Sequence, residues 1–414
     1  MRMSPAFACR SRLLLLLLVH STAGGAASDQ TGGVSPSDPR LLYEGRWSFG
    51  KAMASADWPC TSVRVAVHST SGGSLEVVWA GVRSRLVATI AHAHNGSEYR
   101  STIFTGSAVD LPFQGPQHDK IEVPSGSFEL RLRKLTGATP FSNGVGRLLS
   151  ASVVHFHGLA AVSGVTVASV TPAPRRVEFI GASDTQGYCV DGTVNTSTIG
   201  WSVLGWKYSD CDTAYPGLLG RAFAAEISVQ AMAGAGLLQN ADAVHKWVEG
   251  NVTMAQLWKR TLQTEPAAWN MSAAVPQLAV ISLGGNDFNH QGGHVPSNES
   301  FTSAFGALLD GLYAGYGSEA VAVAAICGMG SPAEAKFDPD NNRCRPCPHV
   351  RDAVVAYNAA RPARRVAFIF VPCDGSVVND AGDIGCNGHK NRKGQEEVAR
   401  FLEPKLRTLM RWAT

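Results

Sequence analysis

The sequence lacks long hydrophobic runs and a clear excess of either charge. Beyond the N-terminal region, no segment offers the roughly 20 consecutive apolar residues that a membrane-spanning helix needs. Charged residues make up only 17% of the 414 residues, and 36 Lys and Arg nearly balance 33 Asp and Glu, which argues against a nucleic-acid-binding protein. Hydrophobic residues reach 45%, and the 43 glycines follow no strict period, so disordered and collagen-like chains are excluded as well. The length predicts two globular domains.

The N-terminus has the layout of a secretory signal peptide. Arg2, Arg10 and Arg12 precede a short apolar run at residues 13–19, and small residues continue to Ala27. This pattern predicts a signal peptide over residues 1–27 and a secreted protein with no membrane anchor after cleavage. Cleavage takes three of the 36 basic residues and no acidic one, which leaves 33 of each and removes the only hint of an anionic partner.

Cysteines and sequons agree with export. Loss of Cys9 leaves eight cysteines, an even number that predicts disulfide bonds in a secreted chain. Cys344 and Cys347 form a Cys-x-x-Cys pair with His349 close behind, which is half of a zinc site, but no second half completes it. Disulfide bonding in a loop is therefore the favoured interpretation, and no metal is expected. Sequons predict glycosylation at five positions: Asn95, Asn195, Asn251, Asn270 and Asn298.

Two kinds of pattern divide the chain. Residues 40–170 contain short segments of alternating apolar and polar residues, which predict antiparallel strands and a β-sandwich. A proline-bearing stretch near Thr171 is the expected domain boundary. Residues 176–414 contain five short apolar runs that alternate with segments of helical spacing, which predicts a five-stranded parallel sheet covered by helices on both faces. In such folds ligands bind at the carboxyl ends of the strands.

Chemistry-bearing residues follow four of these five predicted strands. Ser183 comes after the first strand, Gly234 after the second, Asn286 after the third and His389 after the fifth. A hydroxyl nucleophile needs a base, and a tetrahedral oxyanion needs hydrogen-bond donors. The order therefore predicts a catalytic site with Ser183 as nucleophile and His389 as base. The amides of Ser183 and Gly234 and the side-chain amide of Asn286 are the predicted oxyanion donors.

The same segments resemble the motif blocks of the SGNH or GDSL hydrolases, and within them carbohydrate esterase family 2. The blocks are IGAS, AGAG, GGND and the segment DIGCNGHKN, which end at or contain Ser183, Gly236, Asp287 and His389. EGRWSFG and DWPCTSVRVAV resemble the opening strands of the family's N-terminal jelly roll. The resemblance covers nearly the whole chain after residue 27. It implies a jelly-roll domain followed by an α/β/α SGNH domain, removal of acetyl groups from plant-type polysaccharides, and no metal or other cofactor.

Two positions depart from the family pattern. Ala182 stands where the first block usually has Asp, and Asp184 is the candidate to take over its role. Asn387 stands two residues before the histidine, where the family commonly has an acid. An amide cannot stabilise an imidazolium by charge. We therefore predict a Ser-His dyad in which a backbone carbonyl or Asp383 orients His389.

The sequence leaves three functions open. The leading hypothesis is a secreted carbohydrate O-acetyl esterase acting on a xylan-like or glucomannan-like polysaccharide or its oligosaccharides. A non-catalytic carbohydrate-binding protein on the same fold, and an esterase or lipase acting on another acyl ester, are the alternatives. Acetate release from acetylated oligosaccharides separates the first from the second, and a preference for short acyl chains disfavours the third.

Overall fold

The computed structural model describes residues 33–107, 115–137, 152–195, 205–241, 252–289, 294–333 and 343–413. The predicted signal peptide and the sequon at Asn251 lie outside these residues. The chain from Thr31 onward forms one compact unit. Within the described part, no helix is both long enough and apolar enough to cross a membrane.

The N-terminal half of this unit is built from antiparallel strands in two facing sheets. One sheet has the order β1-β4-β9-β6-β7, with β11 also paired to β4, and the other has the order β2-β3-β10-β5-β8. Alternate side chains such as Val65, Trp79 and Leu130 meet between the sheets in a shared core. The predicted β-sandwich is thus confirmed. Its strands are β1 Leu42–Glu44, β2 Ser48–Phe49, β3 Ala54–Ala56, β4 Ser62–Ser69, β5 Gly73–Gly81, β6 Arg85–His92, β7 Glu98–Thr105, β8 Gln117–Val123, β9 Gly126–Lys134, β10 Val154–Ser163 and β11 Thr166–Ala168.

The C-terminal half contains a parallel sheet of five strands in the order β13-β12-β14-β15-β16. Its strands are nearly continuous apolar runs because both faces are covered, and every residue of β15 is buried. The predicted doubly wound parallel sheet is confirmed. The strands are β12 Arg175–Gly181, β13 Ala225–Ala231, β14 Leu278–Ser282, β15 Ala322–Gly328 and β16 Arg365–Val371.

Helices pack on both faces of the parallel sheet. Helices α2 and α6 bury Leu219 and Leu402 against one face, and α4 and α5 bury Leu309 and Val354 against the other. Helix α4 begins where the Ser297 hydroxyl accepts the Ser300 amide, which satisfies an otherwise unpaired donor. The helices are α1 Ser183–Gln186, α2 Tyr215–Ala222, α3 Met254–Leu257, α4 Asn298–Tyr316, α5 Cys347–Ala360 and α6 Arg392–Met410.

The sandwich and the parallel sheet share a buried polar seam. Arg46 of the sandwich is fully buried and forms an ion pair with Glu178 of β12 at 2.8 Å, and it also donates to the Arg260 carbonyl at 2.8 Å. Asp57 accepts the amides of Gln263 and Thr264 at 2.9 and 3.0 Å. These contacts join the sandwich to β12 and to the segment between α3 and β14. The division of the chain near Thr171 into two domains remains a prediction.

Four disulfide bonds join all eight cysteines that follow the predicted signal peptide. Disulfide bonding was expected from the even number of cysteines in an exported chain. The pairs are Cys60–Cys211, Cys189–Cys386, Cys327–Cys347 and Cys344–Cys373. Cys344 and Cys347 therefore pair with different partners. The zinc alternative for this Cys-x-x-Cys pair is wrong, because neither thiol is free to bind a metal.

The seam predicts a strong effect on stability. Replacing Arg46 with Ala leaves the buried Glu178 carboxylate without its cation, which costs about 3–5 kcal/mol of unfolding free energy. The control Arg40→Ala breaks a half-exposed pair with Asp38 and should cost less than about 1 kcal/mol. Denaturant unfolding followed by tryptophan fluorescence measures both. Equal losses of unfolding free energy in the two variants would show that the buried Arg46–Glu178 pair stabilises the protein no more than the Arg40–Asp38 pair does.

Candidate active site

The carboxyl ends of the parallel strands open into one cavity of about 860 Å³. Because the strands are parallel, the segments that follow them meet at the same edge of the sheet. Ser183, Gly234, Asn286 and His389 all line this cavity. The structure thus brings together the four residues that the sequence singled out.

Ser183 and His389 are in direct hydrogen-bond contact. The His389 Nε2 lies 2.8 Å from the Ser183 Oγ, and its Nδ1 lies 2.8 Å from the Asn387 backbone carbonyl. A carbonyl only accepts, so Nδ1 must carry the proton and Nε2 is left as an acceptor for the serine hydroxyl. This is the tautomer that a general base requires.

A backbone carbonyl and Asp383 were the two predicted orienting groups for His389, and it is the carbonyl that contacts the imidazole. Asp383 instead forms an ion pair with Lys393 at 2.8 Å and accepts the Asn379 amide at 2.8 Å. The Asn387 side chain contacts the serine side of the site, where its Nδ2 donates to the Tyr188 hydroxyl at 3.2 Å. The Tyr188 ring meets the His389 ring edge to face, with centroids 4.9 Å apart.

A tight turn presents Ser183 at the end of β12. A side chain on Gly181 would lie 2.0 Å from the Thr185 hydroxyl oxygen, so only glycine lets the chain turn this closely. The short helix α1 starts at Ser183 and is capped after Gln186 by Gly187, which adopts a left-handed conformation with φ of 76°. Thr185 is held in turn by the Tyr215 hydroxyl at 2.7 Å. The Ser183 amide is therefore at a helix start, beside its own hydroxyl.

The GGND block holds the glycine block in place. The Asn286 side-chain amide donates to the Ala235 carbonyl at 2.8 Å. The Asp287 carboxylate accepts three successive amides, those of Leu237, Leu238 and Gln239, at 2.8, 2.6 and 3.2 Å. Burial raises the pKa of Asp287 to about 6, although the three amides act in the opposite direction. Asp287 was not among the predicted site residues, because a sequence does not show which backbone amides a carboxylate will meet.

Asp184 lies beside the dyad in a buried cluster of charges. Its carboxylate pairs with Arg343 at 2.7 Å and with Lys390 at 3.0 Å. Burial alone would raise the pKa of Asp184, but the two cations and His389 outweigh it and hold the pKa far below its usual range. Asp184 is thus fixed as a carboxylate. Lys390 directly follows the predicted base in sequence, whereas Arg343 belongs to no motif and could not have been found from the sequence.

His389 has an unusually low affinity for protons. The pKa of its imidazole is lowered from 6.5 to about 4, first by burial and then by the positive charges of Arg343 and Lys390. Asp184 and the Asn387 carbonyl act in the opposite direction but do not compensate. The imidazole is therefore neutral over the whole physiological pH range and ready to accept a proton.

Two known proteins are similar to this chain in sequence. No protein-family model matches the chain. A cellulase/esterase, CelE of Acetivibrio thermocellus, is 26% identical over 257 residues, which cover 61% of this chain and 27% of CelE. An acetylxylan esterase / glucomannan deacetylase of Cellvibrio japonicus is 25% identical over 213 residues, covering 46% of this chain and 54% of that protein. The chain thus spans about a quarter to a half of these relatives.

Solved structures resemble the chain over nearly its whole length. A family two carbohydrate esterase from Clostridium thermocellum, in complex with cellohexaose, superposes with a TM-score of 0.68 at 20% identity and covers 90% of this chain and 100% of its own. The predicted resemblance is confirmed, because both relatives are named as esterases and the superposed structure is that of a family two carbohydrate esterase. The fold, a jelly roll followed by an SGNH-type sheet, is the fold of these enzymes.

The charge cluster predicts opposite pKa changes at His389. Arg343→Gln removes a cation that disfavours the imidazolium and should raise the pKa of His389 above about 4. Asp184→Asn removes an anion that favours it and should lower the pKa. NMR titration of the imidazole carbon signals measures both, and the exposed Arg351→Gln serves as the neutral control. Shifts of the same sign in the two site variants would contradict this account of the charges.

Proposed function

We propose that the protein is a secreted carbohydrate O-acetyl esterase that uses a Ser183-His389 dyad. The observation that carries the proposal is the 2.8 Å contact between the Ser183 Oγ and the His389 Nε2, two residues that line the cavity at the carboxyl ends of the parallel strands. A hydroxyl with a neutral imidazole as its acceptor is the pairing that acyl transfer to serine requires.

The reaction proceeds through an acetyl-enzyme. Ser183 Oγ attacks the acetyl carbonyl carbon while its proton passes to the His389 Nε2. Negative charge then develops on the carbonyl oxygen, where the amides of Ser183 and Gly234 and the Asn286 side chain donate to it. The sugar oxygen departs and takes the proton from His389. Water, deprotonated by the same imidazole, then attacks the acetyl carbonyl carbon, acetate leaves, and the proton returns from His389 to the Ser183 Oγ.

The dyad has to stabilise a transient imidazolium without a neighbouring acid. Its Nδ1 proton is shared with the Asn387 carbonyl, which supplies a dipole in place of a full negative charge. Asp184 contributes a nearby negative charge, but Arg343 and Lys390 neutralise it. We infer that orientation and the correct tautomer, more than charge, are what the surroundings of His389 supply.

An acetylated neutral polysaccharide or oligosaccharide is the substrate that fits best. The relative from Cellvibrio japonicus is an acetylxylan esterase / glucomannan deacetylase, and the structural neighbour from Clostridium thermocellum is a complex with cellohexaose. Removal of residues 1–27 leaves 33 acidic residues against 33 of the 36 basic ones, so no charge excess calls for an ionic polymer. The proposal includes no nucleic acid and no metal or organic cofactor.

Export is the localisation that the described residues favour. Four disulfide bonds require an oxidising compartment in most organisms. The sequons at Asn95, Asn195, Asn270 and Asn298 are exposed, as glycosylation needs. Together with the sequence pattern of residues 1–27, these features support cleavage of a signal peptide and secretion.

Removal of the serine hydroxyl tests the proposed chemistry. Ser183→Ala should lower the rate of acetate release from acetylated xylan or glucomannan oligosaccharides by at least about 10⁴-fold, because no other group forms the acyl-enzyme. Acetate is measured enzymatically or by NMR. Ser125→Ala, an exposed serine between β8 and β9, is the matched control and should keep the wild-type rate.

Other outcomes would support the alternatives. Full activity of Ser183→Ala would remove the serine from the mechanism. Saccharide binding without any acetate release by the wild-type protein would favour a non-catalytic binding role. Faster hydrolysis of long-chain than of acetyl esters would point to a lipase.

The low proton affinity of His389 predicts activity in acid. Neutral imidazole is the active form, so kcat/KM should fall only as pH drops through its pKa of about 4, well below the ordinary 6.5. Rates measured between about pH 3 and pH 8 give the midpoint of the acid limb. A midpoint near 6.5 would show that the imidazole in the working enzyme is hydrated and not shielded by its neighbours.

A further inference from the structure

The loop that carries His389 is tied to the turn that carries Ser183 by a disulfide bond. Cys189 lies six residues after Ser183, and Cys386 lies three residues before His389. Their Cα atoms are 5.3 Å apart, although 197 residues separate them in sequence, and neither cysteine has any exposed surface. We name residues 385–390 the histidine loop and residues 183–192 the serine turn.

The histidine loop needs support because a backbone atom orients the base. The acceptor for the His389 Nδ1 is the Asn387 carbonyl, so its position is only as fixed as the loop itself. Asn387 adopts a left-handed conformation with φ of 54° and Gly388 one with φ of 65°. For a residue other than glycine this conformation persists only where the surroundings enforce it. A carboxylate on a side chain would not depend on the loop backbone in this way.

The loop's own hydrogen bonds fix its shape but not its place. The Gly385 amide donates to the His389 carbonyl at 2.6 Å, and the His389 amide donates to the Cys386 carbonyl at 3.1 Å. Both bonds lie within the loop. They leave open where the loop sits relative to Ser183.

Contacts with the serine turn supply that position. The Tyr188 amide donates to the Ser183 carbonyl at 2.9 Å, so the turn is rigid up to the residue before Cys189. The Cys189–Cys386 disulfide then links the serine turn to the histidine loop. The Asn387 to Tyr188 hydrogen bond and the pair between Asp184 and Lys390, at 3.2 and 3.0 Å, join the same two segments. Of these ties, only the disulfide is covalent.

We propose that the Cys189–Cys386 disulfide is a positioning element for catalysis: it holds the Asn387 carbonyl, and through it the His389 imidazole, in register with Ser183. This deepens the proposed esterase function and rests on it. The cross-link takes over the orienting role that an acid at position 387 has in other hydrolases. Full activity therefore requires the oxidised protein, independently of any general gain in stability.

A matched pair of double variants separates positioning from stability. Cys189→Ala with Cys386→Ala removes the proposed tie. Cys60→Ala with Cys211→Ala removes a second buried disulfide that closes a loop of similar length, 151 against 197 residues, and that has neither cysteine in the histidine loop or the serine turn. Since the effect of a cross-link on the unfolded chain varies only with the logarithm of loop length, both variants should lose similar thermal stability.

Only the first double variant should lose catalytic efficiency. We expect kcat for acetate release to fall about 10- to 100-fold with KM changed less than about 2-fold, because misplacement of a base by an ångström has effects of this size. The control should keep kcat within about 2-fold of wild type. Both are assayed at a temperature at which circular dichroism shows them folded. Equal kcat losses in the two variants, or none in the first, would overturn the proposal.

Titration of His389 gives a readout that stability alone does not move. Release of the loop admits water to the ring, so the pKa of His389 should rise from about 4 toward 6.5 in the first variant and stay near 4 in the control. The rate at which Ser183 reacts with a fluorophosphonate should fall in parallel. An unchanged His389 pKa together with an unchanged fluorophosphonate rate in the first variant contradicts the proposal.

Failure of the esterase function and failure of the positioning role remain distinguishable. If the wild-type protein releases no acetate, the proposed function is wrong, and the His389 titration and the fluorophosphonate reaction still decide whether the disulfide places the base. If the alanine variant does not fold, Cys189→Ala with Cys386→Val restores much of the buried volume without the cross-link and takes its place, with the β-branched valine kept away from position 189, where φ is 63°.

Discussion

The site depends on one hydrogen bond between groups that are 206 residues apart in the chain, the bond from Ser183 Oγ to His389 Nε2. Ser183 follows β12, but His389 follows β16, which is separated from β12 by β14 and β15. Neighbouring strands lie about 4.8 Å apart, so the two strands are about 14 Å apart at this edge. The segment between β16 and α6 has to cross that distance to bring the imidazole back to the serine. Disulfides at both ends of this segment, at Cys373 and Cys386, are therefore placed where a long crossing loop most needs restraint.

The rest of the structure supports β12 from several sides. β13 and β14 pair with it in the sheet, helices cover its two faces, and the sandwich contributes Arg46 to its Glu178. Burying two charges costs desolvation free energy, and their attraction offsets that cost only where the geometry is good. A buried ion pair is therefore weak evidence for a stable fold in general. Its effect is local: it fixes one side chain of β12, the strand that leads to the proposed nucleophile Ser183. The sandwich is thus part of the scaffold of the site and not only a neighbour of the catalytic sheet.

Much of the fold could be predicted from the sequence, for a clear physical reason. Central parallel strands are buried on both faces and read as apolar runs, and sandwich strands such as β4 and β9 alternate because one face meets the core. β7 gave no such signal: it pairs on one side only, and nearly all its side chains are exposed. The motif blocks identified Ser183, Gly234, Asn286 and His389 because glycines and polar residues follow strands there. The roles of Asp287 and Arg343 depend on which groups meet in three dimensions, which local pattern does not reveal.

The exchange of an acid for Asn387 changes what the protein must control. With a carboxylate, the charge itself attracts the imidazolium and tolerates some freedom of the backbone. With a carbonyl, the attraction is weaker and directional, so the backbone has to be held. The low pKa of His389, caused by burial and by the cations at Arg343 and Lys390, fits this arrangement, because the neutral ring needs no counter-charge between reaction cycles. The proposed site thus relies on the position of a backbone carbonyl where related sites rely on the charge of a carboxylate. The disulfide bonds at this edge of the sheet maintain that position.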